Sequence, residues 1–190
     1  MCNVLSRQLN IFKLIQQKGV SEIQFSNGGH LFAFVVNKDI FVYNFWTTDG
    51  TALMQCSGHT NRVRSIDWWD NDQGFTSCCM TGNVYFYELY GSNGLGKRNN
   101  EKDFMQKEVK LTSVVNVPGQ PYEMFTVGRD RKISSNIKVK LDKITASGDV
   151  GINELDMTVK VPVIISQLCI TRSGRNLIAG LGESSRPGSI

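Results

Sequence analysis

GHTNRVRSIDWWDNDQGFTSCCMTGNVYFYEL, residues 58 to 89, holds three short runs of branched and aromatic residues parted by turn signals. The runs are VRSIDWW, FTSCCM and VYFYEL, and the turns are DNDQG and TGN. Runs of this length, bounded by Gly, Asn and Asp, are β-strands joined tightly. The same order stands upstream between Val20 and Cys56: VSEIQFS, NGG, LFAFVV, NKD, IFVYNF, TTDG and ALMQC. From Phe25 to its counterparts Asp67 and Trp68 the period is a little over forty residues.

A period of that size is the signature of four-stranded propeller blades. Downstream, VKLTSVVNV, the turn PGQP and YEMFTVG open a third unit, followed by RDRK and a poorly patterned stretch to Lys143. INELDMTV fits the outermost strand of that unit, and VPVIISQLCI, the turn TRSGR and LIAGLG begin a fourth. No segment of a dozen residues carries a 3.6 period, so the fold class is all-β. The expected layout is three complete blades, approximately residues 20–57, 58–108 and 109–160, and a partial blade over 161–190. LNIFKLI, residues 9 to 15, is expected to be the outer strand of a preceding blade. Open sheet faces at both ends predict that the segment, isolated, is aggregation-prone.

The turn residues resemble those of WD40-type propellers. In such blades a Gly-His dipeptide, a Ser or Thr on the second strand, an Asp in the following turn and a Trp on the third strand form one hydrogen-bonded network. Gly58, His59, Ser77 and Tyr87 match this pattern, with Glu88 completing the place of Trp-Asp. Thr81 stands where Asp is expected. The first blade offers Asn37 for the Asp and Tyr43 with Asn44 for the Trp-Asp, while the third keeps Asp130 and lacks the aromatic.

GSNGLGKR, residues 91 to 98, has the glycine and lysine spacing of a phosphate-binding P-loop. Such a loop needs Ser or Thr after its lysine and a helix beyond. Here Arg98 takes the Ser/Thr position and NNEKDF follows, so the stretch is expected to be a flexible connection to a fourth strand near DFMQKEV. Nothing else suggests catalysis. His30 sits in a turn, His59 has its place in the blade, and Cys2, Cys56, Cys78, Cys79 and Cys169 contain no CxxC pair. No enzyme activity, metal, cofactor or small-molecule substrate is expected.

The N-terminus lacks an apolar signal core, and no run approaches a bilayer span, so the expected setting is cytoplasmic with no membrane partner. The net charge of +4 is mild. Two departures from the blade pattern concentrate cations and are candidate partner-binding loops. One holds Lys97, Arg98 and Lys102, the other Arg129, Arg131, Lys132, Lys138, Lys140 and Lys143. No aromatics interleave with them, which argues against a nucleic-acid partner.

The stretches FSNGGHLFAFVVNKDIFVYNF, GHTNRVRSIDWW and TGNVYFYEL together resemble the second propeller of the cilia- and flagella-associated protein fifty-seven family, from about Leu9 onward. The resemblance implies an interior segment of a non-catalytic WD-repeat scaffold of motile axonemes. It also implies association with inner dynein arms and doublet microtubule proteins, regulation of motility, and contact with the remaining blades of its own propeller. The alternative is a WD-repeat adaptor of another cytosolic complex.

Overall fold

The computed structural model describes residues 14–47, 51–91, 94–98, 104–105, 109–136, 158–160 and 164–181. Fifteen strands are described among them, all paired antiparallel. The first sheet runs β1 (Val20–Phe25), β2 (Leu31–Val36), β3 (Asp39–Asn44) and β4 (Met54–Cys56), in chain order. The second contains β5 (Val63–Trp68), β6 (Gly74–Cys79), β7 (Asn83–Gly91), β8 (Gly94–Arg98) and β9 (Phe104–Met105). In the third, β10 (Leu111–Val117), β11 (Gln120–Gly128), β12 (Lys132–Asn136) and β13 (Thr158–Lys160) follow one another; β14 (Ile165–Ile170) and β15 (Leu177–Leu181) pair alone.

These sheets are successive blades. Their first strands, β1, β5, β10 and β14, neighbour one another along the inner side. Successive side chains of a strand point to opposite faces, so the near-continuous burial of β2 and β6 reflects blades covered on both sides. On β2, Leu31, Ala33 and Val35 join Val63, Ile66, Trp68, Phe75 and Tyr87 of the second blade in one core. Trp69, Cys78, Val84 and Phe86 then pack on Leu111, Val114 and Met124 of the third, and Val115 and Val127 pack on Ile165 and Leu168 of the fourth. All six residues of β6 are buried, as expected for a strand covered on both sides.

The other face of the first blade is aromatic. Phe34 and Tyr43 stack with centroids 5.2 Å apart, Phe32 and Tyr43 at 5.4 Å, and Ile15 packs against them. Val20, Ile23 and Phe25 are exposed beside this cluster. Of the outer strand expected over 9–15, only Leu14 and Ile15 are described, and they lie outside any strand.

Two expectations need correction. GSNGLGKR is no flexible connection: β7 continues to Gly91, and Gly94–Arg98 returns beside it, with Gly91 opposite Gly94, Glu88 opposite Lys97 and Tyr87 opposite Arg98. The fourth-strand position is therefore shared. β8 pairs the end of β7, while Phe104–Met105, within the expected DFMQKEV strand, pairs its start. The glycines misled because they favour turns, yet two opposed glycines also form a narrow ribbon without side-chain conflict. The second correction concerns the unpatterned stretch after RDRK, since Lys132–Asn136 is a regular third strand opposite Met124–Val127. Of INELDMTV, Thr158 and Val159 lie in β13, opposite Ser134 and Ile133; the rest falls outside the described residues.

Candidate interaction surface

Antiparallel order gives the stack two ends. The upper end carries the β2–β3, β6–β7 and β11–β12 turns beside the starts of the inner strands. The lower end carries the β1–β2, β5–β6, β10–β11 and β14–β15 turns.

His59 enters at the upper end and is buried, its Nε2 2.7 Å from Ser77 Oγ. Its ring lies flat on Tyr85, centroids 4.2 Å apart. Tyr87, in the position usual for Trp, stacks on Phe75 at 5.2 Å and donates its hydroxyl to Ser57 O at 3.1 Å. Of the expected set, His59 lies against Ser77 and near Tyr87, while Gly58, at φ 128, precedes His59 in the chain entering the blade. Thr81 serves mainly its own turn. Its Oγ1 is 3.0 Å from Cys79 Sγ, accepts from Asn83 Nδ2 at 3.4 Å and lies 3.5 Å from Thr60 Oγ1. A hydroxyl is shorter than a carboxylate and carries no charge, which accounts for its local role. Tyr85 was not foreseen, although a two-residue step from Tyr87 puts it on the same face of β7.

The stand-ins in the other blades behave differently. Asn37 is exposed at φ 56, and its backbone carbonyl accepts the Val63 N–H at 2.8 Å, linking the first blade to the second. Asp130 is exposed, its Oδ1 accepting the Lys132 N–H at 3.4 Å across the turn. Arg131 immediately before β12 has φ 60, whereas Gly82 immediately before β7 has φ 87. Left-handed backbone costs a non-glycine residue about 1–2 kcal/mol, so the third blade keeps an arginine where glycine is easier.

A second network occupies the lower end, and sequence reasoning missed it. Asp67 Oδ2 accepts from Asn116 N at 2.6 Å and Nδ2 at 3.0 Å, while Asp67 O accepts from the same amide at 2.8 Å. Trp69 Nε1 donates to Thr76 Oγ1 at 3.1 Å, and that hydroxyl donates to Asn116 Oδ1 at 2.5 Å. Asp72 accepts the backbone N–H groups of Asn27 and Gly28, each at 2.7 Å, and Asp70 accepts that of Gly119. His30 Nδ1 lies 3.7 Å from the Asp72 carboxylate, so this turn histidine rests beside a structural anchor. The acidic residues of WWDND thus brace the blades on either side.

Burial pushes the Asp67 carboxyl up to about 6, despite the hydrogen bonds from Asn116 and Gln24. It pushes Glu22 up to about 7, against the Ile66 N–H that Glu22 accepts at 3.4 Å. Along the inner strands runs a groove of 690 Å³ lined by Gln24, Asp67, Trp68, Asn116, Gln167 and Arg172 among others. Its described lining is mixed, with the polar groups of Gln24, Asp67, Asp70, Asn116, Gln167 and Arg172 beside Trp68 and Leu168.

The structure separates the two expected cationic loops. The β7–β8 ribbon places Lys97 and Arg98 opposite Glu88 and Tyr87, and Glu88 in turn faces Gly74 at the lower end. Arg129 and Arg131 are exposed in the β11–β12 turn at the upper end, where Lys132 opens β12 half-buried. Lys102, Lys138, Lys140 and Lys143 fall outside the described residues.

No protein-family model matches the chain. The chain is 29% identical over 180 residues to mouse cilia- and flagella-associated protein 57, covering 95% of this chain and 13% of that protein. Cilia- and flagella-associated protein 57 C of Tetrahymena thermophila is 27% identical over 178 residues, 89% of this chain and 13% of its own length. Protein 57 A of the same organism is 34% identical over 89 residues, 47% of this chain and 7% of its own. This chain therefore spans about an eighth of the first two relatives. Among solved structures, the β-propeller domain of Myceliophteria thermophila Cps50 (Swd1) superposes with a TM-score of 0.66 at 15% identity, over 90% of this chain and 51% of that domain. The fold is that of a WD40-type β-propeller, and the sequence resembles the proteins named cilia- and flagella-associated protein 57 over most of its length.

Proposed function

We propose that this chain is part of a non-catalytic WD-repeat scaffold of motile cilia or flagella. It works in the axoneme along the doublet microtubules, associated with inner dynein arms and the regulation of motility. The observation that carries this is the likeness to mouse cilia- and flagella-associated protein 57 over 95% of the chain. The architecture suits such a role, because rigid stacked blades hold turns of variable sequence at two ends. Further blades close the ring against the exposed Ile23 and Phe25, which lie on a face of the kind that blades elsewhere in the chain bury against one another.

Tagging the full-length protein and fractionating ciliated cells tests this. We expect recovery in axonemes, released by high salt together with inner-arm dynein. Recovery in the soluble cell body alone overturns the axonemal role and favours an adaptor of another cytosolic complex.

A further inference from the structure

Lys38, Arg62, Lys110, Arg129, Arg131 and Lys132, drawn from three blades, all reach the upper end. Backbone bonds hold them together there. Arg62 O accepts the Met80 N–H at 3.1 Å and Lys110 O accepts the Arg129 N–H at 3.0 Å, so each inner strand starts against the turn of its own blade. The Asn37–Val63 bond joins the Lys38 turn to the strand that Arg62 precedes. Among the described residues, the acidic ones in or beside these turns are Asp39 and Asp130, and the carboxylate of Asp130 accepts the Lys132 N–H. Acidic groups gather instead at the lower end, where Asp70 and Asp72 hold backbone N–H groups. The lower end also carries Arg172 and Arg175, so acids and bases mix there, whereas the described turn residues of the upper end are mostly cations.

We infer that the upper end is a docking surface for an extended, acidic polypeptide segment. This deepens the scaffold reading and rests on it. The cations sit on separate turns around the rim, a spacing suited to a strand of carboxylates laid across several blades. A single-stranded nucleic acid needs stacking partners, and Phe25, Trp46 and Tyr90, the exposed large aromatics among the described residues, all belong to the lower end.

The test uses full-length protein and a fluorescent peptide of about ten glutamates, with binding read by anisotropy across a salt series. Lys110→Glu/Arg129→Glu/Arg131→Glu should weaken binding about tenfold and flatten its salt dependence, while Arg172→Glu/Arg175→Glu at the lower end should stay within about twofold. Arg131→Gly separates binding from folding: it should melt higher, through relief of the left-handed arginine, yet bind the peptide less tightly. Equal losses in both triple and double variants, no loss in the triple variant, or tighter binding of oligothymidine of matched charge would overturn the proposal. Undiminished recovery of the triple variant in axonemes would overturn this use of the face while leaving the scaffold standing.

Discussion

The first and second blades solve one packing problem with opposite choices. Ser26 N donates to Leu31 O at 2.9 Å, and Trp69 N donates to Gly74 O at 2.9 Å, so these two pairs occupy the same place in their blades. In the first blade the small residue precedes the turn and the large one follows it. In the second the order is reversed, and a Cβ on Gly74 would come within 2.5 Å of both the Trp69 ring and Tyr87 O. The repeat preserves a volume rather than a residue. The polar networks differ in the same way: the second blade has the buried His59–Ser77 bond, whereas the first uses the Asn37 carbonyl. A blade can therefore depart far from its neighbour in sequence and still stack on it.

The largest expected effect comes from forcing the first solution onto the second blade. Gly74→Leu should destabilise the full-length protein by more than about 3 kcal/mol, from overpacking against Trp69 and Tyr87 O. Adding Trp69→Ser should recover part of the loss, seen as a double-mutant coupling in denaturant midpoints. Additive losses would break the volume-exchange account. Next in size, His59→Ala removes a buried hydrogen bond and a ring stack, at about 2 kcal/mol, while Asn37→Gly should lie within about 0.5 kcal/mol of neutral or be stabilising. Equal costs would mean that the blades are tied alike.

A graded effect, of pH, acts on the seam between them. Glu22 and Asp67 titrate in the fold at about 7 and 6, above their ordinary 4.5 and 3.8. The folded state thus holds protons that the unfolded chain gives up. Stability is full below about pH 4 and is lost as pH rises through 6 and 7. Melting should be higher at pH 5 than at pH 8, and Glu22→Gln should flatten the upper part of that slope; a steeper slope in the variant would contradict the burial of Glu22. Last comes an expected null at the second blade's ribbon. Titration with magnesium-ATP should give no heat of binding, because Gly94–Arg98 lies in a β-ladder rather than a phosphate cradle. Micromolar binding abolished by Lys97→Ala would refute this.

Much of the blade order was legible because VSEIQFS, LFAFVV and VYFYEL combine branched residues with clear turn signals. KISSN hid because Ser134 and Ser135 have little strand preference, and β8 hid because its glycines imitate a loop. His59 and Ser77 could be paired from the Gly-His dipeptide alone. The lower network could not, since Asn27–Asp72 and Asp67–Asn116 act across 45 and 49 residues, and nothing local marks an aspartate that serves another blade.

That the second blade supplies the carboxylates to both neighbours has a consequence for synthesis. On a ribosome, the Asn27 and Gly28 amides emerge long before Asp72, 45 residues downstream of Asn27, arrives to receive them. At about 5–20 residues per second, that gap lasts roughly 2–9 seconds. The first blade spends it with its turn unclasped. The third meets its acceptors, Asp67 and Asp70, already made, so the middle blade is the one whose completion lets both flanks lock.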